Sequence, residues 1–490
     1  MFIAPALLLS ASITTVATYR WDLSATAGVQ DGQGTWNSTN TYFTKDNGAT
    51  RVAWVPGSIA QFGGGVSGTA AGNIITGTQT CNGLIFNTPF AGSYTFGGGT
   101  IAFSGTSPFI ECNSATGMTG SGVLSATYLT IRGSAVFTIA GASTPNVINT
   151  LNVISGATVT FTLGFTTKLP TSSLIVGGTV NFSQSTSAAT ISCVISGSGT
   201  IASSNTTTNP LIVLGDNTFT GTWTHSGTGT LQIGNSTSTP SNIGACSVVL
   251  SGGTMLFARA TSWTLSASVS GVGTATVSLG DITLTGAWTA GAISLTSGTT
   301  IRIGAGGTVG SCSANLSNAG AKVFNRSNDY TYPGVISGAG AVTHSGTGTL
   351  TFSSNQTYTG TTTVSAGPLR LGGTLAATAI TVANTSGASI GASTAATRTI
   401  AGSVTFAGSN AALDVQTDGT TTVSRLTVTG GVVRGGAKVN VLGALNAGSY
   451  IIISGASGSS SGSEFTIGTN LSGRTCTFNT VSGVTTMTAT

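Results

Sequence analysis

The sequence predicts an all-β chain, a right-handed parallel β-solenoid (β-helix) rod with a small N-terminal head or cap and a C-terminal cap. Three observations lead there. The 490 residues hold only 15 Lys or Arg and 10 Asp or Glu. Outer faces must therefore be solvated by Ser, Thr and Asn, which suit strands and turns, whereas helices rely on Lys, Glu, Arg and Gln. From about residue 67, short alternations of Val, Ile, Leu and Phe with Ser and Thr are broken by glycine-containing turns roughly every 8 to 12 residues, which leaves no room for helices. Finally, segments repeat: VLGDNTFTGTWTHSGTGTLQIG at 213–234, SLGDITLTGAWTAGAISLTSGTTIRIG at 278–304 and TFSSNQTYTGTTTVSAGPLRLG at 351–372. Repeats bury their core against neighbours, so the length implies no set of separate globular domains.

Taken in order, residues 1–19 begin MFIAPALLLSASITTVA, an apolar stretch followed by small residues but without a basic leader. It is expected to stay as an attachment segment that docks Ile3, Leu7, Leu8 and Leu9 into another subunit; a cleaved secretory signal is the alternative. The stretch is too short and too rich in Ser and Thr to span a membrane. Residues 20–66 carry Trp21, Trp36 and Trp54, half of the six tryptophans, and read as a head or cap.

Residues 67–453 read as solenoid repeats. All three repeated segments share a T-x-T-G tetrad and close on an apolar-polar-apolar-Gly unit. In that unit Leu231 and Ile233, Ile301 and Ile303, and Leu369 and Leu371 point inward, while Gln232, Arg302 and Arg370 point outward, because neighbours on a strand face opposite ways. Coils of roughly 18 to 24 residues, stacked about 4.8 Å apart, would give on the order of 20 coils and a rod about 100 Å long, with Ser, Thr and Asn hydrogen-bonding along it. Residues 454–490 open on SGASGSSSGSEF and read as a linker and C-terminal cap, since an open end invites edge pairing.

The same composition narrows function. Disorder needs low hydrophobicity and many charges, yet 39% of the chain is hydrophobic and 5% is charged. Collagen needs glycine at every third position and much proline. Cys81, Cys112, Cys193, Cys246, Cys312 and Cys476 are isolated, without zinc or redox spacing, and read as core fillers. No basic run with interleaved aromatics suggests nucleic acid. The two histidines, His225 and His344, recur inside one octapeptide, THSGTGTL, so a structural role is expected for both. Asp216 and Asp281 match Asn355 in the third copy, as expected for side chains that bond their own turn.

Asp414 and Asp418 are the nearest carboxylate pair and the only candidates for glycoside chemistry. Trp223 and Trp288 follow the tetrad at equivalent positions. Outward, they are candidate glycan contacts; inward, they fill wide corners, and their recurrence with the repeat favours filling. No catalytic residue, metal or cofactor is expected.

The segment SGAGAVTHSGTGTLTFSSNQTYTGTTTVSAGPLRLGG, 337–373, resembles the autotransporter-associated β-strand repeat: a G-x-G start, a short strand, N-x-T-Y-x-G, a T-x-V strand and G-x-L-x-L-G. The opening WDLSATAGVQDGQGTW, AWVPGSIAQFGG and GLIFNTPFAGSYTFGGGTI also look like the Trp-rich start of large bacterial surface proteins that carry this repeat. The resemblance implies a β-solenoid displayed outside a cell or on a virion, and it transfers no catalytic residue. The chain ends at Thr490 without space for the membrane barrel that follows autotransporter passengers. The expectation is therefore a non-enzymatic fibre, spike or decoration protein on a virion surface with an adhesive role. A secreted bacterial adhesin or surface-layer component is the alternative, and a carbohydrate-active enzyme the weakest reading. Partners would be further copies of the chain, a trimer by analogy with viral fibres, and a surface glycan or protein receptor.

Overall fold

The computed structural model describes residues 16–490 apart from 25–27, 119–121, 141–144, 163–164, 185–187, 206–208, 237–240, 378 and 456–460. The attachment residues Ile3, Leu7, Leu8 and Leu9 lie outside the described residues. The fold is all-β and built from parallel stacked coils, a β-solenoid. Among the described residues the single helical element is the 3-10 turn Phe165–Lys168, and no helix is long and apolar enough to cross a membrane. The chain divides into two compact units: Met1–Ser185 with Ser192–Ala202, and Thr186–Ile191 with Ser203–Thr490.

In the first unit a sheet runs in parallel through Thr18–Trp21, Ile59–Phe62, Gly83–Phe86, Phe109–Cys112, Val123–Arg132, Val147–Val153, Ser173–Val176 and Val194–Ser196. Phe43–Thr44 and Arg51–Val52 continue it in antiparallel sense. Segment 20–66 thus holds both antiparallel strands and a rung of the parallel stack, Ile59–Phe62. Its aromatics fill the interior: Trp36 meets Trp54 edge-on with centroids 5.0 Å apart, and Phe62 stacks on Phe86 at 5.7 Å. Rings are favoured here because each covers more width than an aliphatic side chain and stacks in register with the coil above.

In the second unit the coils of 254–288 turn through three sheets. Thr254–Ala258, Trp263–Leu265 and Ser268–Gly271 form one coil, and Thr274–Leu279, Asp281–Leu284 and Ala287–Trp288 lie against them in parallel register. The alternation holds in all three closing units, where Leu231, Ile233, Ile301, Ile303, Leu369 and Leu371 are buried while Gln232, Arg302 and Arg370 are half-buried on the outer face. Each buried Leu or Ile removes apolar area worth about 1.5 to 3 kcal/mol from water. Past residue 384 the coils lengthen: the side-chain bonds from Asn440 to Asp414 and from the Thr469 amide to Asn440 span 26 and 29 residues. At the end of the unit Gly448–Ser454, Val484–Ala489 and Cys476–Val481 pair antiparallel.

Two turns show why glycine recurs. Gly271 and Gly338 sit at φ 106° and 93°. A Cβ there would fall 2.2 Å from the Leu250 carbonyl oxygen and 2.3 Å from that of Asn318, each one coil below. Both the left-handed backbone and the close stacking exclude a side chain.

Stacked hydroxyls bond along the coils, though mostly to backbone rather than to one another. Thr285, Thr296, Ser337 and Thr357 donate to the carbonyls of Leu265, Val277, Leu316 and Ile336 one coil away, at 3.2 to 3.4 Å. Direct contact between hydroxyls occurs at Thr254 and Thr274, 3.1 Å apart. A strand-end carbonyl keeps a free lone pair, and a short hydroxyl side chain reaches it without leaving its rotamer.

Candidate functional site

Both tryptophans offered as candidate glycan contacts face inward. Trp223 and Trp288 are buried. The Trp223 indole donates to Ser203 Oγ at 2.8 Å, and that of Trp288 to the Gly291 carbonyl at 3.2 Å. With no ring face toward solvent, neither can stack on a sugar, and the glycan-contact reading of these two residues is corrected. Trp288 instead packs its ring against Phe257, with centroids 6.1 Å apart.

The histidines are interior as well. His225 Nδ1 lies 2.9 Å from Ser203 Oγ. Since the Trp223 N–H can only donate, the serine accepts from it and is free to donate to the imidazole. Burial lowers the pKa of His225 and takes that of His344 down to about 4.

The aspartates behave differently from the expectation of self-bonded turns. Asp216 accepts from the Asn242 amide one coil on, Asp281 lies 4.0 Å from Arg302, and Asn355 accepts the Thr374 N–H at 2.9 Å. Each faces the next coil, Asp216 and Asn355 by hydrogen bonds and Asp281 by charge, so the Asp/Asn exchange preserves an inter-coil contact.

Asp414 and Asp418 are in unlike surroundings. Asp418 is exposed and accepts the N–H groups of Thr420, Thr421 and Thr422 at 2.8 to 3.0 Å. Those donors hold its carboxyl well below the usual carboxylate range, the reverse of what a proton-donating acid needs. Asp414 is buried and bound by the Arg370 guanidinium, the Ser389 hydroxyl and the Asn440 amide, the last at 2.6 Å. No group of three or more His, Cys, Asp or Glu suited to a metal occurs among the described residues.

Asp414 does, however, hold Asn440, which lines an open groove of about 570 Å³. Four consecutive coils supply it: Ser386 and Gly387, Asn410 and Ala412, Lys438 and Asn440, then Ile467 to Thr469. The outward column in register is Arg370, Gly391, Asp414 and Asn440. A Cβ on Gly391 would lie 2.2 Å from the Asp414 carbonyl oxygen. That glycine leaves a lane along which Arg370 crosses a whole coil to its carboxylate. Asn440 is held from both sides, since its Oδ1 also accepts the Thr469 N–H at 2.9 Å. The floor is thus fixed, while Ser386, Asn410 and Thr469 are exposed above it. The Lys438 ammonium has no ion pair or hydrogen bond among the described residues, unlike Arg132, Arg302, Arg370 and Arg434, which face Glu111, Asp281, Asp414 and Glu464.

The repeat itself owes its residues to the stacking. Gln356 is buried, accepts the Ile336 N–H at 2.8 Å and donates to the carbonyls of Gly334 and Ser354 at 3.1 and 3.0 Å. Tyr358 is buried with its hydroxyl 2.6 Å from Thr362 Oγ1. Residues 342–371 match the family model of the passenger-associated-transport-repeat. The chain therefore carries, over that one segment, the repeat that its sequence resembles. No curated protein and no solved structure matches the chain.

Proposed function

We propose that this chain is a non-enzymatic β-solenoid displayed at a bacterial cell surface, where it serves as an adhesin or a surface-layer component. The observation that carries the reading is the passenger-associated repeat at 342–371 set within parallel stacked coils. Of its conspicuous residues, Gln356 and Asn355 bond neighbouring coils and Tyr358 fills the core, which fits a scaffold role. The repeat gives no support to the virion-fibre expectation, and the surface-protein alternative takes its place. Adhesion through a solenoid would rest on many modest contacts along stacked faces, summed by multivalency.

The test is protease shaving of intact producing cells, followed by immunoblotting. Surface display predicts that the protein is lost from cells whose cytoplasmic markers remain intact. Full protection in intact cells, with cleavage only after lysis, would sink the reading.

A further inference from the structure

We propose that the groove over Lys438 binds an acidic oligosaccharide. The inference rests on the surface-display reading and names the ligand class for it.

Four coils line the groove, and at about 4.8 Å per coil the three steps between them span about 14 Å. That length suits a short run of sugar rings laid across the strands. One ammonium, Lys438, stands among the hydroxyls and amide of Ser386, Thr469 and Asn410. A carboxylated sugar presents the complementary pattern of one charge among many hydroxyls. Charge-assisted bonding favours the carboxylate at the lysine, and the neutral groups suit the hydroxyls.

Other occupants fit less well. A peptide bound by strand addition would have to use the outer edge of Thr466–Asn470, the last strand of this sheet, and so lie beside the groove, since Ser389–Ala392, Ala412–Gln416 and Lys438–Leu442 are paired in parallel on both sides. Nucleic acid needs several phosphate contacts, and the described lining residues include one cation, Lys438. A neutral glycan would look for an aromatic platform, and no aromatic residue is among the described lining residues. The hollow beside Tyr19 also has a cation, Lys45, but its ammonium already sits 4.3 Å from the Tyr19 ring centroid.

The lining is also prepared in advance. Arg370 and Ser389 fix Asp414, Asp414 fixes Asn440, and Asn440 fixes the Thr469 backbone. A ligand then meets a rigid floor and orders few side chains, which limits the entropic cost of a shallow site.

Isothermal titration of the full chain with a galacturonic-acid hexamer tests the proposal. Cellohexaose, hexaglutamate and inorganic phosphate are run in parallel. The uronate is expected to bind saturably, more weakly as salt rises, and at least about tenfold tighter than the other three. Lys438→Gln should cost about tenfold or more, Asn410→Ala less, and Lys438→Arg should retain binding. Circular dichroism confirms that each variant is folded. Equal binding of hexaglutamate or phosphate, an unchanged affinity in K438Q, or no uronate binding by folded protein each overturns the proposal. The shaving experiment reads surface display without any ligand, so a negative titration with positive shaving rejects the groove alone.

Discussion

At the scale of single residues, Lys322 departs most from the alternation rule. In Ala321–Phe324 it pairs with Ile301 and Val342, both interior positions, and its side chain is fully buried with no hydrogen-bond partner for Nζ. The rings of Tyr332 and Phe324 lie 4.7 and 5.0 Å away, and the Cys312 thiol is an electrostatic neighbour. A cation over a ring gains about 0.5 to 2 kcal/mol. Removing an ammonium from water costs several, so desolvation prevails and the pKa falls below 10.5. Above pH 10.5 the amine is neutral in both folded and unfolded chains, and Lys322 costs nothing electrostatically. As pH drops, the unfolded chain takes up the proton first, so stability declines until the folded-state pKa is reached. Lys322→Met should therefore stabilise the protein at pH 7. The gain should shrink toward pH 10.5 by about 1.4 kcal/mol for each pH unit crossed above the folded-state pKa. Guanidinium unfolding of both proteins at several pH values checks this; the same difference at pH 7 and pH 10 would mean that the buried ammonium keeps its charge.

Among elements, the side chains of Arg370, Ser389, Asp414 and Asn440 tie four coils across the outer face, in addition to the parallel backbone ladder. Deleting one partner strands a buried charge, so Asp414→Ala or Arg370→Ala should each cost about 3 to 5 kcal/mol, and the double variant should lose less than the two summed. Melting temperatures of the three proteins decide it, and strict additivity would show that the pair acts independently. This network also marks how far the sequence reaches. The strand phase of Leu231-Gln232-Ile233 was legible because period two is local. Lys322 was not, since AKVF can bury either Val323 or Phe324. Phe324 packs edge-on against Tyr332 and Phe352, and the phase that buries it carries Lys322 inside. The inward Trp223 followed from its recurrence with the repeat. The partner of Asp414 did not: proximity in sequence suggested Asp418, while the ion pair is with Arg370, 44 residues away. The groove was hidden for the same reason, because the coils that line it lengthen irregularly and no fixed spacing places Ser386, Asn410, Lys438 and Thr469 side by side.

For the whole molecule, scarce charge and scarce reactive chemistry have one origin. The interior of a coil is apolar and filled by aliphatic and aromatic side chains, and cysteine behaves there as a small hydrophobe. Cys81, Cys112, Cys193, Cys246 and Cys312 are buried, whereas Cys476 is half-buried on an antiparallel strand near the C-terminus; all six are free thiols. Burial pushes Cys112, Cys193 and Cys246 up to about 12 and Cys81 higher still. Reaction with a disulfide reagent requires the thiolate, so these sites are protected both by access and by ionisation. Titration with Ellman's reagent at pH 8 should thus detect one reactive thiol per native chain, that of Cys476, and six in guanidinium. Cys476→Ser should bring the native count to zero and leave five in denaturant. Fewer than six in the denatured protein would reveal a disulfide, and several fast thiols in native buffer would mean that the coils open readily. Because the buried thiols come from coils along most of the chain, slow exposure of all five at one common rate would mark a core that opens cooperatively. Separate rates would mark coils that open one at a time, as expected when each repeat is stabilised only by its neighbours.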